Sequence, residues 1–280
     1  MKLTPIEFSP EEYPDKLHPL LSGAALYDSS CSEQARVVFI DKDCGYFLKS
    51  APIGALKREA DMTRYFHGKG LSAEVLEYFS HEQNERDWLL TAKISGDDGI
   101  APKYLEQPKR LCDIWAEQLV ILHGLDYSDC PVQNHRLWMI EKAEQNKRTD
   151  NYDKSNFPGG MGEQQNPKDF ATSPDSFGYK SAEEAWAVVE NHGHLLKADT
   201  LLHGDYCLPN IILDNWQFRG FVDVGNGGVG DRHVDIFWGT WTLFWNLHTH
   251  DYRQRFIDAY GRDKVDEDML RIVAAIEAFG

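Results

Sequence analysis

A chain of 280 residues, 42% apolar and 12% aromatic, has enough hydrophobic material for a buried core and is long enough for one large domain or two lobes. Its 45 acidic against 29 basic residues give a formal charge of −16, which argues against phosphate-backbone binding to nucleic acid as its main task and leaves room for a cationic partner. The plainer meaning of such a surplus is solubility.

Cys31, Cys44, Cys112, Cys130 and Cys207 are scattered, odd in number and contain no C-x-x-C pair, which speaks against a disulfide scaffold or zinc knuckle and for a reducing compartment. The opening run "MKLTPIEFSPEEYPDKL" has no apolar core of the signal-peptide kind, and no later run approaches the ~18 apolar residues of a membrane span. A soluble cytoplasmic protein with no membrane association is expected, as a monomer or weak dimer.

From residue 23 to 95 the pattern predicts strands at "AALYD", "ARVVFID", "GYFLKSA", "EVLEYFS" and "DWLLTAKI", each bounded by turn or charged residues. One helix interrupts them: "ALKREADMTRYFHGKG" spaces Leu56, Met62, Tyr65 and Phe66 at helical intervals and stops at Gly68 and Gly70. The break "SGDDG", residues 95–99, precedes a change of period: in "PKRLCDIWAEQLVILHGL", Leu111, Trp115, Leu119 and Leu122 share one helical face. Residues 147–180, rich in Asn, Asp, Gly, Pro and Ser, are expected to form a substrate loop, ended by a capping box of Ser181 and Glu184. The expected architecture is α+β and bilobal: a nucleotide-binding lobe over residues 1–94, a small antiparallel sheet with one helix, and a larger mainly helical catalytic and substrate lobe over 95–280. Phe237, Trp238, Trp241, Phe244 and Trp245 fall at helical spacing, and this stripe is expected to be core that holds the site.

The chemistry concentrates in "LLHGDYCLPNIILDNWQFRGFVDVGNGGVGDRHVDIF", residues 201–237. Phosphoryl transfer from ATP needs a carboxylate to accept or orient the proton of the attacking hydroxyl, oxygen ligands for Mg²⁺, and a cation over the phosphates. Asp205 and Asn210 reproduce the D-x-x-x-x-N spacing of a kinase catalytic loop. "IILD" and "FRGFVDV" read as a hairpin turning near Asn215-Trp216, which returns the chain so that Asp223 of Asp-Val-Gly stands beside Asn210. One carboxylate and one amide oxygen, with water and phosphate oxygens, suit hard Mg²⁺. His203 is expected to support the loop by hydrogen bonding, and Cys207 to pack. Upstream, strand residue Lys49 and helix residue Glu59 have the arrangement of a lysine held against the α- and β-phosphates. Phe47 shares the face of Lys49 and either covers the adenine or joins the core. In "DSSCSEQ" there is no G-x-G-x-x-G, so Ser32 and nearby N–H groups serve the phosphates.

Together "HGDYCLPNIILD", "FRGFVDVGNGGVGDRHVDI", "DWLL", "READMTRYF" and "ILHGLDYSDCP" resemble the aminoglycoside phosphotransferases, in particular the 3'-phosphotransferase branch of the kinase-like fold, from about residue 20 onward. The resemblance implies ATP-dependent phosphorylation of an aminoglycoside hydroxyl. It assigns Asp205 as base or hydroxyl orienter, Asn210 and Asp223 as Mg²⁺ ligands, Lys49 to the phosphates with Glu59 pairing it, Ser32 to the nucleotide loop, Phe47 to adenine stacking, and the backbone of Ala92 and Ile94 to the adenine edge. Three departures stand out: Asn226 where the family commonly has Arg after D-x-G, a thin acidic substrate loop with Asp169, Asp175 and Glu163, and a C-terminus that keeps only Glu277 and the carboxylate of Gly280 for the drug's amines. The alternative is a kinase of another hydroxylated small molecule, since a fold of this kind does not fix its acceptor. A non-catalytic binding protein is disfavoured because Asp205, Asn210, Asp223 and Lys49 are all present. A zinc hydrolase is disfavoured because the histidines lack an H-x-x-x-H pair with a third ligand.

Overall fold

Strand-forming alternation in the first hundred residues produces a six-stranded antiparallel sheet in the order β1-β2-β3-β4-β6-β5, in a computed structural model that describes residues 3–30, 35–157 and 178–280. Five of its strands are those expected: β2 (Ala25–Asp28), β3 (Arg36–Asp41), β4 (Tyr46–Pro52), β5 (Val75–His81) and β6 (Arg86–Ala92). The sixth, β1 (Thr4–Ile6), pairs with β2 and is too short to announce itself by alternation. One face of the sheet buries Leu26, Val38, Ile40, Leu48, Trp88 and Leu90 against Tyr13, Leu17 and Leu21 of the N-terminal segment, where α1 (His18–Leu21) lies. The other face packs Ala51 and Leu89 against Leu56 and Ala60 around the start of α2 (Lys57–Gly68).

Close contacts divide the chain into two units, and the first is not one continuous run: residues 1–98 are joined by residues 209–226. The inserted run is the expected hairpin, β9 (Ile211–Asp214) with β10 (Gln217–Phe221). Asn215 and Trp216 turn it with φ of 50° and 71°, the left-handed pair that matches the twist of a two-residue hairpin. The break after β6 contains β7 (Asp97–Asp98), which pairs with β9 and makes a three-stranded sheet with the hairpin.

Among its described residues the second unit, residues 99–208 and 227–280, is helical apart from β8 (Thr200–Leu202) paired with β11 (Gly228–Gly230). The helices among its described residues are α3 (Pro102–Leu105), α4 (Pro108–His123), α5 (His135–Arg148), α6 (Ala182–His192), α7 (His233–Leu247), α8 (Arg253–Tyr260) and α9 (Glu267–Glu277). Leu111, Trp115, Leu119 and Leu122 of α4 are all buried, as their spacing predicts. The Ser181 hydroxyl accepts from the Glu184 N–H at 3.2 Å, and Glu184 reaches back to the Lys180 N–H at 2.8 Å, so the capping box begins α6.

The aromatic stripe of α7 departs from the expectation of a core. Phe237 is buried at 1%, but Trp238, Trp241 and Phe244 are partly exposed and Trp245 is 50% exposed. Helical spacing puts side chains on a common face without specifying what that face meets, and α7 is apolar on more than one side.

Candidate functional site

The first unit assembles four of the expected residues. In β4 the pleat turns Leu48 into the core and Phe47 and Lys49 to the opposite face. The Lys49 ammonium donates to Glu59 Oε1 at 2.9 Å and to Asp223 Oδ1 at 3.0 Å. Burial alone would lower the lysine's pKa, but Asp223 and Glu59 outweigh it and hold the group above its ordinary value. One ammonium thus faces two carboxylates, leaving the cluster short of positive charge.

Glu59 owes its place to Asp87 on β6, a fully buried carboxylate. Asp87 accepts from the N–H groups of Gly54 at 2.9 Å and Leu56 at 3.1 Å, from the Ser80 hydroxyl at 2.6 Å and from the Tyr78 hydroxyl at 3.1 Å. Two of these bonds fix the turn that enters α2, whose first turn carries Glu59. On the far side Gly225 lies so close that a Cβ there would stand 3.0 Å from Glu59 Cβ.

Asp223 follows β10 with a φ of 55°, a left-handed conformation uncommon for a residue with a side chain and frequent at functional sites. Asn210 sits at the head of β9, where its carbonyl accepts from the Val222 N–H at 3.0 Å, so the hairpin sets Asn210 across from the segment that carries Asp223. The cation expected after Asp-Val-Gly is absent at Asn226, yet a guanidinium reaches the same turn from α2. Arg58 donates to the Gly225 carbonyl at 2.9 Å and the Asn226 carbonyl at 3.4 Å.

Phe47 belongs to an aromatic row across three strands: its ring lies 5.2 Å from Phe39, which lies 6.0 Å from Tyr27. The row occupies the Lys49 face and Phe47 is partly exposed. The Ala92 N–H donates to the Glu74 carbonyl at 3.0 Å. Ile94 packs on the hairpin where Gly220 has no side chain. Ser32, Asp169, Asp175 and Glu163 lie outside the described residues.

In the second unit, β8 leads into His203-Gly204-Asp205, with Gly204 at a φ of 83° that favours glycine. A carboxylate from α7 holds this turn. Asp235, fully buried, accepts from the N–H groups of His203 and Gly204, both at 2.8 Å, and lies 3.1 Å from His123 Nε2. With Nε2–H donating to Asp235, the His123 Nδ1 accepts from the Tyr260 hydroxyl at 2.8 Å. Burial would raise the Asp235 carboxyl, but His123, His203 and the Gly204 N–H hold it below the usual range. His203 supports the loop as expected, its Nδ1 accepting from the Asp205 N–H at 3.3 Å. Tyr206 stacks on Trp115 at 3.7 Å and donates to its carbonyl at 2.8 Å. Cys207 does more than pack: its thiol hydrogen-bonds the Asp205 side chain, and burial with that carboxylate pushes the thiol well above its ordinary value.

Glu277 and Gly280 also fall in this unit, at the end of α9. The C-terminal turn is pinned by side-chain amides of Asn146 to the Phe279 carbonyl at 2.7 Å and Asn156 to the Ala278 carbonyl at 3.1 Å. Phe279 is fully buried, and Gly280 folds back with its N–H on the Glu277 carbonyl at 2.9 Å. Burial raises the Glu277 carboxyl to about 7; Lys142 and the Trp238 N–H oppose the shift, while Asp205 and Asp235 add to it. Because folding raises this acid above its ordinary 4.5, the folded chain holds the proton more tightly between about pH 4.5 and 7, and stability falls as pH rises across that window. Glu277→Gln is therefore expected to stabilise the protein at pH 8 by on the order of 1–3 kcal/mol and to have little effect at pH 4, measured by thermal melts. Equal shifts at both pH values would contradict it.

Asp87, Arg58, Asp235 and His123 were not singled out from the sequence. The signal present for Asp235 is an acid inside the apolar run "HVDIFWGTW", where an unpartnered carboxylate would be prohibitively costly.

The chain matches the model of the phosphotransferase enzyme family over residues 29–272. It is 47% identical over 270 residues to a "probable aminoglycoside 3'-phosphotransferase" of Lactococcus lactis, covering 96% of each chain. It is 29% identical over 236 residues to an aminoglycoside 3'-phosphotransferase of Niallia circulans, covering 83% of each. Among solved structures, the aminoglycoside-3'-phosphotransferase of type VIII shares the fold with a TM-score of 0.69 at 22% identity, over 96% of both chains. An aminoglycoside phosphotransferase of Streptomyces rimosus, solved with ADP and streptomycin, superposes with a TM-score of 0.58 at 20% identity, over 91% of this chain and 90% of that one. The α+β kinase-like fold and 47% identity across nearly the whole length settle the family: the chain belongs to the phosphotransferase enzyme family, and its relatives group it with the aminoglycoside 3'-phosphotransferases.

Proposed function

We propose that this enzyme transfers the γ-phosphoryl group of ATP to a hydroxyl of an aminoglycoside, the 3'-hydroxyl, and so confers resistance to the drug. The observation that carries the phosphoryl-transfer reading is the Lys49–Glu59–Asp223 ion network, with both contacts of the ammonium at 2.9–3.0 Å. The aminoglycoside reading is supported by the 47% identical relative and by the net charge of −16.

Asp205 acts as the base, accepting or orienting the proton of the acceptor hydroxyl, while His203 and Asp235 keep its backbone in place. Lys49 is held by Glu59 for the α- and β-phosphates, and Arg58 adds positive charge at the Gly225-Asn226 turn. Phe47 and its aromatic row present a surface for the adenine, whose edge meets the Ala92 carbonyl and the Ile94 backbone. The donor set fits Mg²⁺: an amide oxygen from Asn210 and the carboxylate of Asp223, 55% exposed on its side chain, are hard oxygen ligands. When bound, the ion neutralises charge on the β- and γ-phosphate oxygens. Glu277 and the terminal carboxylate receive an amine of the acceptor. Use of ATP fits a cytoplasmic home, as do the free thiols of Cys44, Cys112, Cys130 and Cys207; no helix among the described residues is long and apolar enough to cross a membrane.

Coupled ADP release with a panel of kanamycin- and neomycin-class compounds tests the proposal. Turnover is expected to rise above the ATP-only rate with at least one member. Retained nucleotide binding with no stimulation by any compound would move the assignment to a kinase of a different hydroxylated small molecule.

A further inference from the structure

The segment that carries Asp223 is stitched at both ends to the element that carries Glu59. Upstream, the Phe221 N–H donates to the Leu71 carbonyl at 2.7 Å and the Ser72 hydroxyl to the Phe221 carbonyl at 2.9 Å, where the chain leaves α2 for β5. The Phe221 ring also meets Phe66 of α2 edge-on, with centroids 6.4 Å apart. Downstream, Arg58 in the first turn of α2 donates from Nε to the Gly225 carbonyl at 2.9 Å and from Nη2 to the Asn226 carbonyl at 3.4 Å. Successive residues on a helix point about 100° apart, so Glu59 takes the lysine while Arg58 takes the turn.

Between these fastenings Asp223 holds a φ of 55°, a conformation that costs free energy for a residue with a side chain and persists only where its surroundings over-determine it. Its carboxylate meets Lys49 through Oδ1 at 3.0 Å, but the side chain is 55% exposed and packing alone does not hold it. The two carbonyls that Arg58 grips lie in the short turn Val224–Asn226, directly after that residue. A guanidinium is a planar fork that can bridge two oxygens at once, and a charge-assisted bond to each resists rotation of both peptide planes. Mg²⁺ demands near-ideal octahedral geometry from its oxygen ligands, whereas a lysine meets a phosphate as a point charge with looser requirements. A small rotation at Asp223 therefore harms the metal before it harms the nucleotide.

We propose that Arg58 is a positioning residue for the metal: its grip on the Gly225 and Asn226 carbonyls keeps Asp223 in the left-handed conformation that presents its carboxylate to Mg²⁺. The role rests on the phosphoryl-transfer reading above and deepens it, because it makes affinity for the metal–nucleotide pair, and not for nucleotide alone, depend on a side chain of α2. Where Asn226 brings no cation of its own, the neighbouring helix supplies one, and supplies it to the backbone.

The test is calorimetric titration of ADP into the full chain, with Mg²⁺ in excess and with EDTA, for the wild type, Arg58→Ala and Arg58→Lys, beside a thermal melt of each. In the wild type Mg²⁺ is expected to tighten ADP binding. Arg58→Ala is expected to weaken Mg-ADP about 10-fold, the size of a lost charge-assisted bond, with metal-free ADP within about twofold of wild type. Arg58→Lys keeps the charge without the fork; it is expected to forfeit at least about threefold of the metal-dependent gain, and carries the comparison if the alanine variant does not fold. A full metal-dependent gain in either variant, or equal weakening of ADP with and without Mg²⁺, overturns the positioning role and leaves the phosphotransferase assignment standing. A wild type whose ADP binding is indifferent to Mg²⁺ overturns Asn210 and Asp223 as metal ligands, and the role of Arg58 with them.

Discussion

Asp205→Asn is expected to lower kcat by about 10²-fold or more, the usual contribution of a positioned base, while ATP KM and melting temperature stay close to wild type. The substitution keeps the volume of the side chain and leaves an oxygen to accept from the Cys207 thiol, so the loop has no reason to move. Its backbone is held elsewhere: the Asp205 N–H is on His203, and the two preceding N–H groups are on Asp235. What is lost is the capacity to take a proton from the attacking hydroxyl. Steady-state kinetics with a coupled ADP assay, beside a nucleotide-binding measurement on the same preparation, separates this from damage to the nucleotide site. A fall of less than about tenfold would mean that the proton leaves by another route and would remove Asp205 from the mechanism.

The largest effect on stability is expected from Asp235→Ala. Its carboxylate is the shared acceptor for the His203 and Gly204 N–H groups and for His123, all in a fully buried setting. Removing a buried carboxylate that satisfies three donors leaves each of them unpaired at a cost of about 1–3 kcal/mol apiece, because the donors left behind have no water to turn to. Denaturant unfolding should show that loss. Asp235→Asn keeps one oxygen but sets an NH₂ against the remaining donors, and serves as the milder variant for kinetics. In that variant kcat is expected to fall more than tenfold with acceptor and ATP KM nearly unchanged, since Asp235 is fully buried and, on the proposed role of Asp205, acts by holding the turn that carries the base. Wild-type stability in the alanine variant would show that the catalytic turn is held by something else.

Much of the site was legible because its key spacings are local. The five residues from Asp205 to Asn210 and the hairpin from Asn210 to Asp223 are covalent relationships, and a strand lysine followed by a helix glutamate needs one turn between them. The residues that were missed act over long separations on backbone groups. Arg58 reaches carbonyls 167 and 168 residues away, and Asp235 accepts N–H groups 31 and 32 residues upstream. A peptide group carries no letter in a sequence, so its partner cannot be read from one. The inverse fault explains the tryptophans of α7. Periodicity located their common face correctly, but on a helix that already buries Phe237 and Leu243 the same pattern equally describes a second, solvent-facing side. Asp87 shows the same limit in a strand: within "DWLL" it looks like an edge charge, whereas the fold closes four donors around it.

The latch between α2 and the Asp-Val-Gly turn has a consequence for how such an enzyme is governed. Protein kinases are commonly switched by whether their glutamate-bearing helix is docked, since the lysine–glutamate pair and the metal-binding aspartate must both be in place. Here the pair is closed, Asp87 clamps the helix at its entry and Arg58 ties it to the aspartate's own turn. Among the described residues of that unit, the glutamate, the lysine and the metal-binding aspartate are already tied together. An enzyme that meets a poison rather than a signal has no use for an off state, and on this reading the cell sets its dose through how much of the protein it makes.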